Sequence, residues 1–164
     1  MWRATQHRNH LFGAKLIMWK YFQSVAVVLG ALILAFVGVV GVEFVSSILH
    51  PFPPGSDPTD MESCKAHVAR YPTGVLLLCA VGWWLTVFAS CWLATRLGAN
   101  RHPGHSVVVG LILLAMAFLN MAMLPYPTWF WINVIAFPAS GLFGIWVARR
   151  GYNRRTSLPL HEKQ

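Results

Sequence analysis

The sequence predicts an all-α integral membrane four-helix bundle with a short extracytoplasmic helix between spans 1 and 2. Three observations predict it. The 164-residue chain is 56% hydrophobic and only 11% charged, too apolar for a soluble domain of this size. Its apolar residues lie in long uncharged blocks, 24–42, 71–95 and 106–148. Its basic residues gather at alternate ends of those blocks. A helical span needs about 20 apolar residues to cross roughly 30 Å of hydrocarbon, so the last block holds two spans. Pro125 and Pro127 flank Tyr126 at its middle, and proline ends helices and restricts the residue before it. The spans are then about 23–49, 72–97, 106–124 and 128–148. They form one domain, 23–148, between a lead-in at 1–22 and a basic tail at 149–164.

The lead-in is basic and ends in aromatics. Its "HLFGAKLIMWKYF" (10–22) reads as a short interfacial helix that turns into span 1. Span 1 is too long for a signal-peptide core of about 7–15 residues, and no small-residue cleavage pattern follows it. After it, "PFPPG" (51–55) reads as extended or polyproline-like. Residues 56–72 read as a short helix. Asp57 is its expected N-cap and Pro58 its first position. Asp60 and Glu62 suit its positive end and Arg70 its negative end. Met61, Cys64 and Val68 fall on one side.

The net charge is +8. Eleven of the Lys and Arg residues lie before span 1, between spans 2 and 3, or after span 4; only Lys65 and Arg70 lie in the 1–2 loop. This is the positive-inside pattern. It predicts cytoplasmic termini and an outward-facing 1–2 loop and 3–4 hairpin. The basic tails suit anionic lipid headgroups, at about 1 kcal/mol per residue near the surface, rather than nucleic acid. Trp19, Tyr21, Phe22, Trp146 and Tyr152 would mark the inner boundary, and Phe52, Tyr126, Trp129, Phe130 and Trp131 the outer one. Trp83 and Trp84 lie near mid-membrane and would fill packing space or face lipid.

No soluble-enzyme motif is present. Cys64, Cys79 and Cys91 form no C-x-x-C pair. Pro103 and Gly104 separate His102 from His105, with no third ligand nearby, so neither a metal site nor a cofactor is expected. The informative residues are the polar ones inside spans, which are costly there. Glu43, Ser46, Ser47 and His50 are spaced to share one face of span 1. Glu43 lies seven residues before His50, roughly 10 Å below the outer boundary. Asn120 and Asn133 fall in the same leaflet. The expected polar cluster is therefore Glu43 with Asn120 and Asn133, and His50 at its mouth. Thr86 and Ser90 lie deeper. Two stripes of small residues predict close helix packing: Ala31, Ala35 and Gly38 on span 1, and Asn133, Ala136, Ser140, Gly144 and Ala148 on span 4. Pro138 should kink span 4.

Three segments together carry a resemblance: "VEFVSSILHPFPPGSDPTD", "YPTG" and "LNMAMLPYPTWFWINVIAFPASGLFG". They resemble a group of uncharacterised bacterial membrane proteins with four spans. The matching positions are Glu43, Pro51, Pro53, Pro54, Gly55, Asp57, Pro58, Asn120, Pro125, Pro127, Trp129, Pro138 and Ala139, within 42–145. Where this chain has "SCWLATR" (90–96), members of that group often carry glycines. The resemblance implies residence in a bacterial inner membrane and brings no activity.

Two functions follow as expectations. One is a non-catalytic structural, assembly or interaction subunit, partnered by the bilayer and by a second copy or another membrane protein. The other is a small proton-coupled transporter or exporter using Glu43. Small multidrug exporters have four spans and a Glu in span 1, but theirs is mid-membrane and some insert both ways. A membrane enzyme of the quinone or haem kind needs paired intramembrane histidines, and the spans hold none.

Overall fold

In a computed structural model of the chain, residues 2–98 and 102–156 are described, with side chains over 18–98 and 102–150. The elements in order are α1 (Trp2–Leu49), α2 (Met61–Val68), α3 (Thr73–Leu97), α4 (Gly104–Met123), a 3-10 helix (Thr128–Ile132) and α5 (Asn133–Thr156). No strand occurs among the described residues. Four segments are long and apolar enough to cross a membrane: Met18–Leu49, Thr73–Leu97, Gly104–Met123 and Thr128–Arg150. The fold is an all-α bundle of four such helices, and the chain is a multi-pass membrane protein.

The helix ends follow the prolines. No proline precedes Pro51, so nothing stops α1 over its 48 residues, about 72 Å of helix. The lead-in at 10–22 is therefore not a separate element that turns into span 1. It is the same unbroken helix. α1 stops at Leu49, because His50 precedes Pro51 and such a residue avoids helical dihedrals. "PFPPG" is not simply extended. Gly55 has φ +83°, and Ser56 N–H donates to Pro53 O at 3.1 Å, with Pro54 between, the pattern of a type II turn. Pro72 in extended backbone opens α3, and Pro127 opens the 3-10 helix. Pro138 lies inside α5 without ending it.

The cap of α2 corrects the expectation. Asp60, not Asp57, is the N-cap, its carboxylate accepting from Ser63 N–H at 2.9 Å. Asp57 instead accepts from Thr59 N–H at 2.8 Å and Thr59 Oγ1 at 2.7 Å, holding the turn before the helix. Both carboxyls lie below the ordinary carboxylate range because of these bonds. Of the side expected to be covered, Val68 is buried and Met61 is exposed. The residue that seats the helix is His67.

α3 is the most buried of the four spans and α1 the least. The small-residue stripes account for how the others reach α3. Ala31 and Ala35 are buried on α1, and Ala31 packs with Ala94 of α3 and Val109 of α4. A Cβ on Gly38 would lie 2.6 Å from Thr86 Oγ1, and one on Gly82 2.5 Å from Val42 Cγ2. On α5, a Cβ on Gly144 would lie 2.6 Å from Phe88 O, so the two backbones nearly touch. Ala148 is buried and Ala136 half-buried on the same stripe. Between lipid-like side chains there is no hydrophobic drive, so this close approach supplies the attraction.

Candidate functional site: a cleft between α1 and α4

The polar residues of the spans separate into two sets. The first set ties helices to α3. Asn133, fully buried, accepts from Trp84 Nε1 at 2.7 Å through Oδ1 and donates to Phe130 O at 2.7 Å through Nδ2. Ser140 Oγ donates to Trp84 O at 2.6 Å. Trp84 is thus held twice by α5, through its indole and its carbonyl. Two turns further along α3, Ser106 Oγ donates to Cys91 O at 2.7 Å, Thr95 Oγ1 donates to Cys91 O at 3.0 Å, and the two hydroxyls meet at 2.5 Å. The short α3–α4 connection brings Thr95 and Ser106 opposite each other. Their positions near adjacent span ends were the available sequence signal for this pair.

The second set is what remains. Glu43, Asn120 and Thr86 line a cavity of about 520 Å³ between α1 and α4, with α3 as its floor. α1 and α4 meet at Ala31 and Val109. Beyond that contact the cavity follows α1 from Leu32 to Glu43. Its walls are otherwise hydrocarbon or aromatic, including Val39, Trp83 and Met116. Its mouth is flanked by the exposed side chains Phe36 and Met116, so it faces the bilayer sideways.

The expected cluster therefore forms only in part. Glu43 and Asn120 share the cavity; Asn133 does not, because its carboxamide is spent on Trp84 and Phe130. Ser46 is buried, donating to Glu43 O at 2.9 Å and to Glu43 Oε2 at 3.5 Å. Ser47 is exposed and donates to Phe44 O at 2.8 Å. Asn120 Oδ1 accepts from Tyr126 Oη at 3.0 Å, which fastens the 3–4 hairpin to α4. Tyr126 stacks on Phe130 at 4.5 Å, and burial raises its phenol pKa.

His50 sits elsewhere, in an aromatic latch that holds α2 on the bundle. His50 and His67 stack at 4.7 Å, and Phe52 covers the other side of the assembly at 3.9 Å from His67. Tyr71 meets both imidazoles edge-on, at 4.9 Å and 5.0 Å. Burial pulls the His67 pKa below its ordinary value, and the neighbouring His50 and Arg70 charges pull the same way. Burial likewise raises the Tyr71 phenol. No group of three or more metal-ligating side chains occurs among the described residues.

Compared with protein-family models, curated proteins and solved structures, the chain matches none.

Proposed function

We propose that this chain is a non-catalytic interaction subunit of a bacterial inner membrane, with both termini cytoplasmic, that works by holding another molecule at the α1–α4 cleft. One observation carries the reading. Most polar side chains of α3, α4 and α5 are spent on one another and on backbone carbonyls, with Ser90 Oγ and Trp83 Nε1 the buried exceptions, and the feature left over is a lateral cleft walled mainly by hydrocarbon. Such a cleft binds; it assembles no nucleophile, base and oxyanion donor. The bacterial assignment rests on the resemblance described above. The orientation rests on the charge bias. It is supported by Arg96 over Trp92 at 5.0 Å and Arg150 over Trp146 at 3.7 Å, a basic aromatic rim at one end of the bundle. Reporter fusions at Gln164 and within 55–65 test it; an external C-terminus contradicts it.

A second reading, a proton-coupled transporter, is favoured by the placement of Glu43 on the cavity wall. Proteoliposomes with an internal pH dye and an imposed proton gradient separate the two. The interaction reading expects the same leak from the full chain, its Glu43→Gln variant and empty vesicles. Proton flux that Glu43→Gln abolishes would replace it with the transporter reading.

A further inference from the structure

The cleft has one charged wall group. Glu43 is the sole carboxylate within the four spans. It makes no ion pair among the described residues, and its carboxylate receives one side-chain hydrogen bond, from Ser46 Oγ at 3.5 Å. The other polar wall groups do not supply a positive charge. Thr86 Oγ1 donates to Gly82 O at 2.9 Å, and Asn120 Oδ1 accepts from Tyr126 Oη. The carboxylate stands at one end of the cavity. From there the wall runs eleven residues down α1 to Leu32, about 16 Å of hydrocarbon surface. The volume of about 520 Å³ lies in the range of small-molecule sites, roughly 300–1,000 Å³.

We propose that the α1–α4 cleft binds a single-chain hydrophobic amine, its ammonium on the Glu43 carboxylate and its chain along the wall toward Leu32. A carboxylate in an apolar wall is costly until a cation pairs with it. An ammonium supplies both charge and hydrogen-bond donors. The apolar length supplies the remaining affinity. The exposed flank at Phe36 and Met116 lets such a molecule enter from the bilayer. An amine-bearing phospholipid fits less well, because its phosphate would stand beside the same carboxylate. The inference deepens the interaction reading and rests on it.

The test is calorimetric titration of the full chain in nanodiscs of zwitterionic lipid, with empty discs subtracted. Decylammonium, decanol and decyl sulfate are the probes. Expected is saturable binding of the cation, at least about tenfold tighter than decanol, and no saturable binding of decyl sulfate. Glu43→Gln should weaken the cation at least about tenfold and leave decanol unchanged. Ala117→Phe, which fills the cleft from the α4 wall, should abolish both. Equal affinity for cation and decanol overturns the proposal and leaves an apolar crevice filled by lipid tails. If Glu43→Gln loses its helical circular dichroism, the wild-type preference for cation over decanol decides alone. Failure here leaves the interaction reading standing, since that reading is tested separately, by Glu43-dependent proton flux and by the reporter fusions.

Discussion

At the scale of single residues, the same kind of side chain does opposite work according to its partner. Asn133 and Asn120 sit at similar depths, yet one is the buried clasp of α5 on Trp84 and the other fastens a hairpin beside a cavity. Their depth along the helices was legible in the sequence. Their direction around the helix axis was not, because facing is set by helix rotation and crossing, which spacing within one helix leaves free. Spacing and depth point both carboxamides at Glu43; in the structure Trp84, which the sequence alone would leave as filler or lipid-facing, takes that place for Asn133. Ser90 shows the reverse case. Its Oγ is buried with no hydrogen-bond partner among the described residues. A buried unsatisfied polar group costs about 1–3 kcal/mol, so Ser90→Ala should leave stability unchanged or raise it by up to about 1 kcal/mol. Unfolding of the purified protein in a fixed detergent mixture measures this. A loss greater than about 1 kcal/mol would mean the hydroxyl is bonded.

At the scale of elements, the spans were legible because charge-free length and proline placement are one-dimensional signals. The small-residue stripes were legible for the same reason, since spacings of three and four fix a helix face. Their contacts now give them unequal weight. A methyl on Gly144 meets the Phe88 carbonyl at 2.6 Å, whereas a methyl on Gly30 meets nothing within 4 Å. Gly144→Ala should therefore destabilise by about 1–3 kcal/mol as α5 is pushed off α3. Gly30→Ala should be neutral or stabilise by about 0.5–1 kcal/mol through helix propensity. The same unfolding assay compares them, and equal effects would contradict the close approach. The latch on α2 was not legible, because stacking between His50, Phe52, His67 and Tyr71 depends on how a loop folds back. It has a pH signature. His67 has its folded pKa below the ordinary value near 6.5, so the unfolded loop takes up a proton first. The docking of α2 is then fully stable above that value and weakens as pH falls through it toward the folded pKa. Asp57 and Asp60, with lowered pKa values, act in the same direction at lower pH: their contribution is present above the ordinary carboxylate range and lost as pH falls through their folded values. Hydrogen exchange over 61–71, corrected for intrinsic rate, should rise between pH 7.5 and pH 5, roughly spanning the histidine range. His67→Phe should keep the stack and flatten that rise. An unchanged rise in His67→Phe would place the switch elsewhere.

At the scale of the molecule, α3 is a central post to which α1, α4 and α5 are attached by different means: small residues for α1, hydroxyl bonds for α4, and a carboxamide clasp with a bare glycine contact for α5. Composition and charge predicted that four helices would span. They did not predict that α1 and α4 would part above Ala31 and leave a cavity, because a void is a property of packing and has no residue of its own. The molecule divides its labour: Asn133 holds the bundle together, and Glu43 belongs to the cleft. The most direct measurement is the unfolding free energy of Asn133→Ala and Glu43→Gln in one membrane mimetic. Loss of the buried Trp84 and Phe130 partners should cost about 1–3 kcal/mol in Asn133→Ala. Glu43→Gln should change stability by less than about 0.5 kcal/mol. The opposite order, with Glu43→Gln the more damaging, would return Glu43 to the structural hub and contradict the account.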